Sequence, residues 1–343
     1  MNTPVFQPKT KPDFPIDKVK SMLSTESELL IFTHRNPDGD AIGSSTALQK
    51  YLQNMGHHAT IVVPNKVPEN LLWLDKNKAI IISEDEPEKL KAKIAQAKIV
   101  FVLDFNDWKR IEPMHEVMKD CTAFVVLLDH HPIPTIQGEA CYTDVSASST
   151  CEMVYRFIYM LDQGKHFSID ICESIYTGII TDTASFRYSS TSSETLKIAA
   201  FLMDFGVVPH EIQDKIFSNN RFEKLKLWGY AFSEKLEFVE AAQVAFISIT
   251  EHELNRFAYE DGDLEGLVNY ALSVEGAEIG ALFSERHGKI RISFRSRGKR
   301  SVNEFSRKYF EGGGHEAAAG GVSYQTMEET IKRFKEIILK EWE

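Results

Sequence analysis

The chain has 343 residues, of which 43% are hydrophobic and 26% charged. That composition excludes disordered, collagen-like and disulfide-scaffold proteins, and the length suggests about two domains. The formal net charge of −11, from 39 Lys+Arg against 50 Asp+Glu, argues against a broad basic face that grips long nucleic acid, because such a grip is mostly phosphate neutralisation.

Residues 1–15 contain no apolar signal-like core, and Pro4, Pro8, Pro12 and Pro15 suggest an extended arm. Residues 29–33 (LLIFT) read as a strand and 41–55 as a helix, with His57-His58 marking that helix's end. Further strands are predicted at 60–63, 80–82, 100–104 (VFVLD) and 124–129 (FVVLLD). Nearly continuous apolar runs mean burial on both faces, as in a parallel sheet between helices. Residues 146–161 and 169–181 read as helices, which completes a doubly wound, mainly parallel α/β pattern. Residues 192–239 are mostly helical in pattern, with Leu225, Trp228 and Phe232 at helical spacing.

A second region opens with a strand at 244–249. It continues with a helix at 264–274, paired strands at 279–283 and 290–294, and a helix near 302–310. A Gly-rich turn and an amphipathic helix at 327–342 follow. The expected organisation is a catalytic α/β domain with trailing helices over 1–218, a helical connector over 219–240, and a smaller α/β domain with a mixed sheet over 241–343. The four cysteines, Cys121, Cys141, Cys151 and Cys172, form no CxxC pair and read as reduced core thiols. With no stretch of about 18 uncharged apolar residues, a cytoplasmic location is expected.

Asp and His fall where the strands end. The first strand leads into His34, Asn36, Pro37, Asp38, Gly39 and Asp40. A later strand ends in Asp104, and another in Asp129-His130-His131. Thr181-Asp182-Thr183 closes a helical run. Carboxyl ends of strands line the ligand crevice of an open α/β sheet, so segments far apart in sequence would converge. Asp38, Asp40, Asp104 and Asp182 would crowd negative charge and raise one another's pKa unless it is compensated. Two divalent cations would compensate it. Carboxylate and imidazole ligands without thiolate favour Mn²⁺ over structural zinc, with Mg²⁺ or Co²⁺ as further options. Two such ions about 3.5–4 Å apart can lower the pKa of a shared water and clamp a phosphoryl group, which describes a metal phosphoesterase. Any one Asp at a strand end is more often a cap or turn residue; the joint occurrence carries the reading.

Through His34-Arg35-Asn36-Pro37-Asp38-Gly39-Asp40, Asp104, Asp129-His130-His131 and Thr181-Asp182-Thr183, the chain resembles the DHH phosphoesterases. Arg295-Ser296 and Gly312-Gly313-Gly314-His315, with Ala318-Ala319-Gly320 behind, resemble the DHH-associated C-terminal domain. The resemblance covers nearly the whole chain and is greatest to the nanoRNase branch, whose members shorten very short oligonucleotides and dephosphorylate pAp (adenosine 3′,5′-bisphosphate). It implies one metal held by His34, Asp38, Asp104 and Asp182, and another by Asp40, Asp104, His130 and Asp182. It also implies that His131 faces the scissile phosphate, and that Asp129 orients a metal-bound His. One departure is Phe105-Asn106-Asp107 after Asp104, where relatives often carry a small or hydroxyl residue, so the pocket wall is expected to differ.

Residues 286–300 hold Arg286, Lys289, Arg291, Arg295, Arg297, Lys299 and Arg300 with no acidic residue. Strand alternation sets Arg291, Ser293 and Arg295 on one face. A solvated charged edge competes with ligand binding for Arg297, Lys299 and Arg300. The resemblance favours binding of a terminal phosphate or base for Arg295 and Ser296. Gly312, Gly313 and Gly314 read either as a helix C-cap or as backbone N–H groups open to a ligand, with His315 facing the cleft and both domains closing on the ligand. Arg187 is a phosphate-binding candidate and Arg110 a weaker one. The expected partners are short oligoribonucleotides, pAp or other small nucleotides, with no membrane and no long duplex, and a homodimer is left open. Alternatives are hydrolysis of linear dinucleotides (pApA, pGpG), RecJ-like single-strand exonuclease action, pyrophosphatase or polyphosphatase activity, and a catalytically idle nucleotide-binding module.

Overall fold

The uninterrupted apolar runs become the central strands of a parallel sheet. In the computed structural model, which describes residues 6–118, 121–218, 220–298 and 300–342, the chain divides into two units, Met1–Asn219 and Asn220–Glu343. The first unit contains, in chain order, α1 (Ile16–Met22), β1 (Glu28–Phe32), α2 (Gly39–Asn54), β2 (His58–Val63), β3 (Ile81–Ile82), α3 (Pro87–Gln96) and β4 (Ile99–Leu103). It continues with α4 (His115–Met118), β5 (Phe124–Asp129), β6 (Ala140–Thr143), α5 (Thr150–Asp162), α6 (Ile169–Asp182), α7 (Ser193–Phe205) and α8 (Pro209–Phe217).

The strands lie in the order β3-β2-β1-β4-β5-β6, with every pairing parallel. Alternate residues of β1 serve opposite cores. Leu29 and Ile31 pack toward α2, α5 and α6, whereas Leu30 and Phe32 pack with Leu90 and Ile94 of α3. Burial on both faces explains why these strands carry no polar alternation. The order reverses between β1 and β4, which is where an open sheet of this kind leaves a crevice at its carboxyl edge.

The second unit comprises α9 (Phe222–Tyr230), β7 (Leu236–Val239), β8 (Val244–Ile249), α10 (Glu251–Arg256), α11 (Leu267–Leu272), β9 (Ile279–Arg286) and β10 (Lys289–Ser296). It ends with α12 (Val302–Tyr309), β11 (Gly313–His315), β12 (Ala318–Ser323) and α13 (Met327–Trp342). Its sheet runs β11-β12-β10-β9-β8-β7; β8 and β9 are parallel and the other pairs antiparallel. Phe283, Phe294 and Phe334 of α13 form an aromatic core on one face.

Several expectations need correction. The helix expected at 146–161 starts at Thr150, because Asp144 folds Ser146 into a turn and Ser149 accepts the Glu152 N–H as N-cap. The expected helical connector, 219–240, ends instead in β7, whose residues pair with β8. The Gly-rich turn is a hairpin, β11 against β12. Strand β6 and helices α1 and α3 were not anticipated. Pro4 and Lys299 lie outside the described residues. Among the described residues, no helix is long and apolar enough to cross a membrane.

Candidate metal centre

Three strand ends and two helix termini meet at the switch point of the first sheet. His34 follows β1 after one residue, Asp104 follows β4 directly, and Asp129 ends β5. The parallel register sets Leu103 beside Leu128, so Asp104 and Asp129 leave adjacent strands at the same level. Asp38 is exposed and N-caps α2, accepting the N–H groups of Asp40 (3.0 Å) and Ala41 (3.1 Å). Asp40 lies in the first turn of the same helix and is 1% exposed. Asp182 is the last residue of α6.

Short distances knit these groups together. His34 Nε2 lies 3.2 Å from Asp104 Oδ2, and His34 Nδ1 lies 2.8 Å from the Arg35 carbonyl. His130 Nε2 lies 3.2 Å from Asp182 Oδ2, 3.7 Å from Asp104 Oδ1 and 3.9 Å from Asp40 Oδ2. Three sets of donor atoms lie within 4.8 Å of one another: His34, Asp38 and Asp104; Asp40, His130 and Asp182; Asp104, His130 and His131. Asp129 turns its carboxylate to His131, accepting from its Nδ1 (2.8 Å) and its backbone N–H (3.0 Å). Asp129 thus orients His131, while His130 Nδ1 faces the Ala147 carbonyl at 3.4 Å.

Sequence reasoning missed the N-terminus of α5. Thr150 N–H and Cys151 N–H donate to the two oxygens of Asp40 at 2.6 and 2.8 Å, and the Thr150 hydroxyl donates to Asp104 Oδ1 at 3.0 Å. The positive end of a helix thus holds two of the carboxylates. Only the Ser-Ser-Thr cap sequence hinted at it, and a cap does not announce what it faces.

Charge explains what the centre is suited to hold. Burial, reinforced by the charges of Asp104 and Asp182, pushes the Asp40 carboxyl well above the usual carboxylate range. At Asp104 burial pushes the same way but is outweighed by His34, His131 and His130, so its carboxyl is held below that range. Burial alone would lower His34 and His130; the surrounding carboxylates raise both. Such a pocket holds more negative charge than its histidines balance. An oxygen- and imidazole-rich donor set with excess negative charge fits divalent cations.

The family models make the assignment. The DHH family N-terminal domain matches residues 28–179, and the DHHA1 domain matches residues 241–341. The chain is a DHH family phosphoesterase.

A bifunctional oligoribonuclease and PAP phosphatase, NrnA, of Thermus thermophilus is 32% identical over 87% of this chain and 84% of its own length. The crystal structure of an exopolyphosphatase-related protein from Bacteroides fragilis superposes with a TM-score of 0.92 at 32% identity, covering 96% of this chain and 98% of that one. RecJ of Thermus thermophilus in complex with Mn²⁺ shares the fold, with a TM-score of 0.57 at 12% identity over 99% of this chain and 56% of that one.

The remaining candidates divide between the two units. In the DHH unit, Arg187 is exposed and follows Ala184, Ser185 and Phe186, which have φ of 47, 57 and 65°. In the DHHA1 unit, Arg295 is half-buried on β10, opposite Ala318, with Nη1 donating to the Phe294 carbonyl at 3.0 Å. Ser296 is buried beside it. Arg297 is spent on the carbonyls of Ala277 (2.8 Å) and Leu272 (3.1 Å), and Arg300 on that of Ala242 (2.5 Å). Both are ties within the unit.

The glycines have a packing reason of their own. A Cβ on Gly312 would strike the Gly320 carbonyl, and one on Gly314 would lie 2.8 Å from the Ala319 Cα. Gly313 has room, its nearest neighbour being the Arg307 guanidinium at 3.5 Å. His315 ends β11, opposite Ala318.

Proposed function

We propose that this DHH phosphoesterase is a Mn²⁺-dependent phosphohydrolase that degrades very short oligoribonucleotides to mononucleotides, dephosphorylates pAp to AMP, or does both. The observation that carries this reading is the convergence of Asp38, Asp40, Asp104, Asp182, His34 and His130 at one sheet edge, in a chain aligned along most of its length with an oligoribonuclease and PAP phosphatase.

In this reading His34, Asp38, Asp104 and Asp182 hold one ion, and Asp40, Asp104, His130 and Asp182 the other. When bound, the ions neutralise phosphoryl oxygens and lower the pKa of a water for in-line attack. The protein's own groups prepare that site. The α5 N-terminus fixes Asp40 and Asp104 before substrate arrives, which saves reorganisation at the moment of reaction. Asp129 fixes the His131 ring and its Nδ1 proton, leaving Nε2 to face the phosphoryl group. In the second unit, Arg295, Ser296, the backbone of Gly312, Gly313 and Gly314, and His315 are read as nucleotide contacts, and Arg187 in the first unit as a phosphate contact.

The test is incubation with Mn²⁺ and 5′-labelled oligoribonucleotides of two to twenty-four nucleotides, with pAp in parallel. The expected result is stepwise mononucleotide release that is fastest on the shortest oligomers, phosphate release from pAp, or both. Asp104→Ala and His131→Ala should each abolish turnover; Mn²⁺-dependent hydrolysis of a dinucleotide by either variant would sink the assignment. The resemblance to an exopolyphosphatase-related structure makes inorganic polyphosphate the comparison substrate. Its hydrolysis in preference to the nucleotides would replace this reading.

A further inference from the structure

The segment after β4, where Phe105-Asn106-Asp107 departs from the expected family pattern, builds a second wall of the centre. Asn106 is 7% exposed and works as a staple. Its Nδ2 donates to the carbonyls of His131 (3.1 Å) and Pro132 (3.2 Å), and its own carbonyl accepts from the Thr135 and Ile136 N–H groups (2.8 and 3.0 Å). Asp107 then caps a short 3₁₀ turn, Trp108–Ile111, through the Lys109 N–H at 3.0 Å. Both backbone groups of Arg110 are also tied, its N–H to the Asp107 carbonyl (2.9 Å) and its carbonyl to the Arg35 N–H (2.8 Å). An anchored turn therefore delivers Arg110.

Its guanidinium ends at the centre. Arg110 Nη1 lies 3.2 Å from His131 Nε2. A guanidinium can only donate, so Nε2 carries the lone pair and the ring proton sits on Nδ1, given to Asp129 at 2.8 Å. Among the described residues, Arg110 makes no ion pair. Its neighbour Arg35 differs, being engaged by Glu84 at 2.6 Å and the Glu112 carbonyl at 3.1 Å. One arginine is thus committed to structure. The other presents a positive fork, with no carboxylate ion pair among the described residues, beside His131.

We propose that Arg110 is a substrate-contacting residue: with Nη1 placed 3.2 Å from His131 Nε2, its remaining N–H groups take two oxygens of the phosphoryl group. The matching ligand is a tetrahedral phosphate ester, because the planar fork of arginine pairs two oxygens at once, which a lysine cannot do. In this arrangement Arg110 and His131 address the same phosphoryl group from adjacent positions. This inference rests on the proposed phosphohydrolase reading for the identity of the substrate, but its test does not depend on turnover.

Binding of AMP to the Mn²⁺-loaded full chain, measured by titration calorimetry, compares wild type with Arg110→Ala and Arg110→Lys. We expect Arg110→Ala to weaken AMP binding by at least about tenfold, the order of one lost charge-assisted hydrogen-bond pair. Arg110→Lys should recover only part of it, with Mn²⁺ content unchanged in both. In turnover assays, added methylguanidinium should restore activity to Arg110→Ala and not to His131→Ala. AMP affinity in Arg110→Ala within about twofold of wild type, on a scale where tenfold is about 1.4 kcal/mol, overturns the proposal, as does lysine substituting fully for arginine. Absence of turnover in the wild type would instead fall on the functional reading, and the binding comparison would still decide the role of Arg110.

Discussion

Asp104 concentrates the chemistry of the centre in one side chain. It follows β4 with φ of 64°, a left-handed backbone that costs about 1 kcal/mol or more for a residue with a Cβ, though Asp tolerates it better than most. That turn sends its carboxylate inward, where His34 lies at 3.2 Å and the Thr150 hydroxyl donates at 3.0 Å. Thr150→Val keeps the shape and removes the hydroxyl. We expect it to weaken Mn²⁺ activation by roughly 10- to 100-fold, the usual effect of losing a group that orients a ligand. Turnover measured across a Mn²⁺ titration reads this directly, and an unchanged titration midpoint would refute it. The aspartates were legible in the sequence because each follows an apolar run. Thr150 was not, since its importance depends on which carboxylates its helix start happens to meet.

At the scale of elements, the centre depends on how closely α2 and α6 approach. A Cβ on Gly43 would lie 2.6 Å from the Ser174 carbonyl, and one on Gly178 would lie 2.7 Å from Asp40 Oδ1. Gly178→Ala should destabilise the first unit by roughly 1–3 kcal/mol through overpacking and also displace Asp40, lowering Mn²⁺ retention. Denaturant melts and metal content after gel filtration measure the two effects, and wild-type values in both would contradict the packing account. In sequence, a helical glycine reads only as a weak helix former.

The second unit offers a pH test at α10. Glu253 closes a capping box with Thr250 and accepts from Tyr230 (2.5 Å) and Lys235 (2.9 Å). Burial opposes its ionisation, but these donors prevail and hold its carboxyl at about 2. The folded value lies below the ordinary one, so its contribution is present above about pH 4.3 and is lost as pH falls toward the folded value. Glu253→Gln should therefore melt below wild type at neutral pH, with the gap closing under acid. A gap that stays constant from neutral pH into acid would contradict this.

At the scale of the whole molecule, the acidic charge bears on metal binding. Two divalent cations would bring −11 to about −7, and their binding should couple to folding of the first unit. Mn²⁺ at about 100 times its dissociation constant should add roughly 2.7 kcal/mol of stability for each ion bound, and EDTA should remove it. Thermal melts with and without each reagent test this, with Asp104→Ala expected to lose most of the Mn²⁺ shift. An identical melting temperature in Mn²⁺ and EDTA would argue against a metal centre.

The order of amino acids alone specifies the parallel sheet, the DHH and DHHA1 motifs and the acidic and histidine residues at the strand ends. These are local signals: an apolar run fixes a buried strand, and the polar residue that ends it must lie at the sheet's edge. It did not determine that Asp129 serves His131, that α5 caps Asp40, that Arg297 and Arg300 tie the second unit together, or that the glycines at 312 and 314 are required by β12. Each of those depends on which surface a neighbouring element presents at distances of about 3 Å. Residues far apart in the chain meet at that distance only once the elements are packed, so only the tertiary structure could decide them.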